Sequence, residues 1–176
     1  MKKPNENVKS VIVLTVICLL VTAVLAVTNN FTAPVISEAR KVKIEQSLKA
    51  VLPDMYSIRE VELPEGTPST VKAVYVVNDK DYAVVLATMS AYSNGDMGIT
   101  VGISDSGELV GVTLTSYFES KDFGKETYPQ TYIGVTKDNY SDVDTFSGVT
   151  YSSKAFKKAI GDAFAAVDLI KGGGAN

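Results

Sequence analysis

Histidine is absent from the 176-residue chain and cysteine occurs once, at Cys18. Without histidine there is no histidine-bearing catalytic triad and no histidine-liganded zinc or haem site, and one cysteine cannot hold an iron–sulfur cluster. If the protein moves electrons, the carrier is expected to be organic. A large excess of one charge is also missing: the net charge of −3 leaves no electrostatic footprint for nucleic acid. With 45% hydrophobic residues, the length suffices for one modest domain plus an anchor, not for two full domains.

Charged residues are missing altogether from Val11 to Thr28. As a helix rising about 1.5 Å per residue, that run reaches about 27 Å, the short end of a membrane span. Before it, Lys2, Lys3 and Lys9 outnumber the single acid Glu6, and no further Lys or Arg comes until Arg40. The bias predicts a cytoplasmic tip over 1–10, a transmembrane helix over 11–28, and everything after it outside the cytoplasm. A cleaved secretory signal is the competing reading, because Val24 and Ala26 could form a small-residue cleavage site. The long β-branched core favours a retained single-pass anchor in the plasma membrane. Cys18 follows the bulky Ile17, where lipoprotein processing wants a small residue, and is expected to be an inert membrane cysteine.

Residues 29–55 read as a linker and stalk helix: Asn29 to Pro34 as an exit linker, then Val35 to Leu52 with helical apolar spacing, stopped by Pro53, either a stalk joining anchor to domain or the domain's first packed helix. Residues 56–171 read as an extracytoplasmic domain and 172–176 as a disordered tail. Glu60 to Ser69, with Pro64, Gly66 and Pro68, suggests a loop. Val71 to Val77 and Tyr82 to Tyr92 are apolar runs about a turn at Asn78 to Asp81. Gly98 to Ser104 and Glu108 to Tyr117 form a second pair about Asp105, Ser106 and Gly107. Strands in a run followed by a closing helix predict an α+β fold: a small antiparallel sheet with flanking helices behind a single N-terminal span.

The closing helix is marked by Ala155, Phe156, Ala159, Ile160, Ala163, Phe164, Val167 and Ile170, at three- and four-residue spacing. Ser152 or Ser153 can serve as its N-cap. Immediately before it stand Asp144, Thr145, Phe146, Ser147, Gly148, Val149 and Thr150. A glycine among small hydroxyl residues, directly ahead of a helix, gives a turn whose N–H groups can face an anion. Lys154, Lys157 and Lys158 sit in the first turns, where the helix dipole disfavours cations, a misfit that a bound anion would offset. On spacing alone, a solvated basic face with an ordinary turn glycine explains the stretch equally well. Asp142 and Asp144 lack the further oxygen ligands of a calcium loop, so no metal site is expected.

The same residues resemble the flavinylation motif of the FMN-binding domain family, Asp-x-x-Ser/Thr-Gly-Ala-Thr, whose last threonine carries FMN through a phosphoester. Asp144, Ser147, Gly148 and Thr150 match position for position, and Val149 stands where alanine is usual. The resemblance implies covalent FMN on Thr150, with Asp144, Ser147, Gly148 and Val149 shaping the attachment turn, and a flavin transferase using FAD for maturation. It extends over the sheet, from about Val71 to Phe164. The family's flavin-bordering loop, Glu-Thr-Pro-Gly-Leu-Gly, corresponds to Glu119 through Gly124, of which Glu119 and Gly124 match. The aromatic residues Tyr117, Phe118, Phe123, Tyr128, Tyr132, Tyr140, Phe146 and Tyr151 could stack on the flavin ring or pack the core.

The order of polar tip, single span, stalk and FMN-binding domain is similar to that of the flavin subunits of Rnf-type ion-translocating electron-transport complexes. That likeness implies membership of a ferredoxin:NAD oxidoreductase that couples electron flow to sodium or proton translocation, with the other subunits as partners. Three alternatives stay open. They are a stand-alone membrane-anchored flavoprotein outside the cytoplasm, the corresponding subunit of a sodium-pumping quinone reductase, and an anchored binding module without cofactor.

Overall fold

The computed structural model describes residues 6–90, 94–118, 121–122 and 124–173. Helix α1 (Glu6–Val51) is followed by β1 (Ile58–Val61), β2 (Val71–Val77), β3 (Asp81–Thr88), β4 (Met97–Ile103) and β5 (Leu109–Ser116). Two short 3-10 turns, Pro129–Tyr132 and Tyr140–Asp142, precede helix α2 (Thr150–Gly173). The chain divides into two compact units, Met1–Lys43 and Ile44–Asn176.

In the first unit, the side chains from Val8 to Ile36 are exposed, including Leu14, Leu19, Leu20, Val24 and Leu25. An apolar helix surface with nothing packed on it needs a partner that is itself apolar, and a bilayer supplies one. Among the described residues this is the one helix long and apolar enough to cross a membrane. Its hydroxyls suit that medium. Thr15, Thr22 and Thr28 each donate to the carbonyl four residues back, at 2.9, 2.7 and 2.9 Å. No donor on these side chains is then left for lipid to satisfy.

The exit linker expected at Asn29 to Pro34 is instead helical, within α1. Pro34 cannot donate to the carbonyl four residues back, which costs the helix one hydrogen bond. The residues around it are otherwise compatible: Thr32 ties itself to the Thr28 carbonyl at 2.9 Å. The expected stop at Pro53 holds, with the last helical hydrogen bond running from the Leu52 N–H to the Leu48 carbonyl at 2.9 Å.

The second unit is a five-stranded antiparallel meander in the order β1-β2-β3-β4-β5, which makes the fold α+β as expected. Both predicted hairpins form. At the first, Asn78 and Asp79 take φ of 55° and 58°, the successive left-handed residues of a type I′ turn, which Asn and Asp tolerate. The Asn78 side chain also accepts the N–H groups of Tyr56 and Ser57 at 2.9 and 3.2 Å, fastening the segment before β1. Glu60 and Val61, expected in a loop, belong to β1, whose short edge pairs with β2 from Ile58↔Val77 to Val61↔Val74.

Alternation splits the sheet into two buried faces. Val84, Leu86, Ile99, Val101 and Ile103 join α2 in the larger core through Phe156, Ala159, Ile160, Ala163, Phe164 and Val167. Full burial of each large side chain here contributes about 1.5–3 kcal/mol. Ala83 and Val77 face the other way, onto Leu48, Ile44 and Leu52 at the end of α1. β4 is therefore buried at every position: its odd residues join the core that α2 covers, while Thr100 and Gly102 on the other face meet the α1 end, where Thr100 donates to Ser47 at 3.0 Å.

The stalk helix expected over Val35 to Leu52 thus ends as a packed element of the domain. Gly172 and Gly173, expected in a disordered tail, continue α2 to its last turn.

Candidate flavin-attachment site

Phe146, Ser147, Gly148 and Val149 form a turn closed by the Val149 N–H on the Phe146 carbonyl at 3.3 Å. Gly148 has φ of +82°, the left-handed value that the third residue of a type II turn requires. No heavy atom lies within 4 Å of where its Cβ would stand, so the glycine is needed for backbone conformation, and the space above it is open to a ligand. Thr150 follows as the first residue of α2, exposed, with no hydrogen bond from its N–H or Oγ1 to any described residue. A free hydroxyl beside a helix N-terminus, over open space, fits a phosphoryl group.

Ser147, Gly148 and Asp144 are exposed beside it, whereas Val149 is half-buried and packs against the main core. The methyl groups by which Val149 exceeds alanine are therefore accommodated on the core side of the turn.

The expected N-cap residues have another role. α2 begins at Thr150, so Ser152 and Ser153 lie inside its first turn, both buried. Ser153 Oγ accepts the Phe146 N–H at 3.1 Å and donates to the Val149 carbonyl at 2.9 Å, spanning the turn from end to end. Beneath lies an aromatic floor. Tyr128 is edge-on to Phe146 at 6.0 Å and to Tyr132 at 5.6 Å, and Phe156 meets Tyr132 at 5.3 Å. Burial pushes the Tyr128 and Tyr132 phenols above the usual tyrosine range, Tyr128 being held back by hydrogen bonds with Tyr132 and Ser153. Both stay protonated, and so able to donate, at any working pH.

The loop predicted to border the flavin reaches the motif at Gly124. Its φ is +69° and a Cβ there would stand 3.2 Å from the Phe146 ring. Its carbonyl accepts the Thr127 and Tyr128 N–H groups at 2.8 and 2.7 Å. Tyr117 donates to the Lys121 carbonyl across the same loop. Glu119 and Phe123 lie outside the described residues.

Most of the expected basic face is engaged by the fold itself. Lys157 donates to the Ser141 carbonyl at 2.9 Å and Lys158 pairs with Asp162 at 2.7 Å, leaving Lys154 without a partner among the described residues. Asp162 also accepts from Thr70 at 2.7 Å, so it holds α2 to the start of β2. Of the aromatic residues that could stack on a ring, Phe118, Phe146 and Tyr151 are exposed, while Tyr128 and Tyr132 are buried. Among the described residues no group of His, Cys, Asp and Glu could hold a metal.

Ser153, expected as a helix cap, and Tyr128 and Tyr132, expected as stacking or core rings, instead lie together under the turn, a placement that sequence reasoning missed. The available signal was the serine one turn into the helix, whose side chain commonly returns to the backbone.

The second unit thus carries a glycine turn leading into the N-terminus of its closing helix, an exposed Thr150 hydroxyl at that start and aromatic rings beneath. In agreement, residues 93–165 match the family model of the FMN-binding domain, and residues 1–51 match that of the RnfG N-terminal region. Among characterised relatives, the chain is 24% identical over 190 aligned positions to the G subunit of the ion-translocating oxidoreductase complex of Shewanella piezotolerans (strain WP3 / JCM 13877), covering 91% of this chain and 88% of the relative. The protein of the same name from Shewanella baltica (strain OS223) is 23% identical over 187 positions, covering 90% and 88%.

Proposed function

We propose that this chain is the FMN-carrying electron-transfer subunit of an Rnf-type ion-translocating oxidoreductase complex, with FMN joined to Thr150 through a phosphoester. The observation that carries the attachment is the exposed Thr150 Oγ1, unpartnered and placed by the Gly148 turn at the start of α2. FMN, when bound, would supply the electron-carrying chemistry that a chain without histidine and with one membrane cysteine cannot supply. The protein's part is to present the hydroxyl, offer N–H dipoles to the phosphate, and keep the tether on a rigid helix.

Attachment requires a separate transferase, because an unassisted threonine hydroxyl is a weak nucleophile. With FAD as donor, Thr150 Oγ1 forms a bond to the phosphorus of the FMN half. The pyrophosphate P–O bond breaks and AMP leaves with the hydroxyl proton. Full-length protein coexpressed with such a transferase is expected to gain the mass of one FMN less one water. An intact mass that stays unshifted would overturn the covalent reading.

The lysines ahead of the span support a cytoplasmic N-terminus and a domain on the outer face, where reversible flavin would be lost by dilution. A reporter fused after Gly174 is expected to be active only outside the cytoplasm, and the protein to remain in the membrane at full length. Cytoplasmic activity would reverse the orientation. Release of a form starting near Val27 would make the apolar run a signal peptide.

A further inference from the structure

The first turn of α2 carries no acidic residue. A helix start is stabilised by negative charge and opposed by positive charge, yet the first charged side chain along α2 is Lys154, exposed and without a hydrogen bond, ion pair or ring contact among the described residues. The other two lysines of the basic face are held by the fold, Lys157 on the Ser141 carbonyl and Lys158 on Asp162. Lys154 is the one left over.

Helical geometry sets its place relative to the flavin acceptor. Thr150 and Lys154 lie four residues apart in α2, so their side chains are neighbours on one face, and the lean of helical side chains toward the N-terminus brings the Lys154 stem back over the turn that Thr150 begins. That side is open. No heavy atom lies within 4 Å of where a Cβ on Gly148 would stand, and the Thr150 hydroxyl is exposed and unpartnered. A flexible four-carbon stem ending in a rotatable ammonium can follow an anion esterified to Thr150 Oγ1.

We infer, resting on Thr150 as the FMN acceptor, that Lys154 is the counter-ion of the phosphodiester that joins FMN to Thr150 and holds the tether against the first turn of α2. The phosphodiester keeps a negative charge, so attachment supplies the anion that this helix start lacks. The contribution of Lys154 to stability therefore changes sign on modification: the helix dipole opposes its charge before FMN is attached, and the phosphate pairs with it afterwards.

The test uses full-length protein in detergent at low salt, prepared with and without a FAD-dependent flavin transferase, and compares melting temperatures in both forms. Glutamine matches lysine in helix propensity, so Lys154→Gln reads the charge. Without flavin, Lys154→Gln is expected to melt about 1–2 °C above wild type, and with FMN on Thr150 about 1–2 °C below it. Lys154→Arg, which keeps the charge, is expected to follow wild type in both forms. Lys157→Gln, which loses a contact made by the fold, is expected to shift both forms alike. In the wild type, acylation of Lys154 by an amine-reactive ester, read by peptide mass spectrometry, is expected to slow about twofold on flavin attachment, the protection a surface ion pair gives. High salt is expected to restore that rate, while the exposed Lys80 reacts equally in both forms.

Equal shifts of Lys154→Gln in the two forms, with FMN mapped to Thr150, would overturn the counter-ion role alone. Protection of Lys154 that persists at high salt would overturn it too, because it marks cover by the flavin ring and not charge pairing. A wild type left without FMN on Thr150 would instead overturn the attachment reading, and the counter-ion role with it. If Lys154→Gln accepts no flavin, the salt-dependent acylation of the wild type decides.

Discussion

Thr150→Val is expected to abolish flavin attachment while leaving the domain folded. Valine keeps the β-branched shape and loses only the oxygen. At an exposed first helical position without hydrogen-bond partners, the change is expected to alter stability by no more than about 0.5 kcal/mol. In-gel flavin fluorescence should disappear and the intact mass should match the unmodified chain. The neighbouring hydroxyls are poor substitutes for physical reasons. Ser152 and Ser153 are 5 and 0% exposed, so a transferase could not reach them without unwinding the first turn of α2. Ser147 is exposed, yet it sits before Gly148 and faces the solvent from the turn instead of from the helix start. Ser147→Ala is accordingly expected to reduce modification without moving it. Peptide mapping of the wild type checks the assignment: a flavin peptide modified on Ser147, or a fluorescent Thr150→Val protein, would defeat it.

The position of that threonine was legible because its determinants are local. Gly148 ahead of an amphipathic run announces a turn and a helix start, and the apolar periodicity from Ala155 to Ile170 named the face that α2 buries. Hairpins were legible for the same reason, since Asn78-Asp79 and Ser106-Gly107 carry their turn geometry in their own side chains or lack of them. What could not be read was whatever depends on partners distant in sequence. The role of Ser153 is set by the Phe146 N–H and by Tyr128, and nothing local distinguishes a serine that ties a turn together from one that caps a helix. Lys157 and Lys158 looked available to an anion until the fold brought the Ser141 carbonyl and Asp162 to them. The helical path through Asn29 to Pro34 was hidden by composition that favours turns in water, where Asn and Thr side chains compete for the backbone. The Thr28 and Thr32 hydroxyls instead back-bond within the helix.

The largest loss of stability is expected from Gly111→Ala, at a residue that has no motif around it. Gly111 pairs with Gly102 across β4 and β5, which leaves a strip of sheet without side chains, and the end of α1 lies on that strip. A Cβ at Gly111 would overlap the Val51 carbonyl oxygen and stand 2.7 and 2.8 Å from the Val51 Cα and carbonyl carbon. All three are backbone atoms, so no rotamer change relieves the clash. At Gly102 the nearest atoms would be the same carbonyl at 3.0 Å and the flexible Leu52 side chain at 3.1 Å, a milder crowding. Alanine at 111 must therefore push the α1 end off the sheet, loosening Leu48 from Val77 and Ala83 and separating Ser47 from Thr100. We expect a cost of about 3 kcal/mol, the upper part of the range for overpacking a close contact, read as a lowered melting temperature of the detergent-solubilised chain. Trypsin should also cut more readily after Lys49, which lies in the last turn of α1 and is protected only while that turn stays docked. Gly172→Ala, with nothing within 4 Å of its Cβ, serves as the control and should match or exceed wild-type stability, because alanine favours a helix by about 1 kcal/mol over glycine. Equal melting temperatures and equal cleavage for Gly111→Ala and wild type would show that the domain does not depend on the α1 end packing against its sheet.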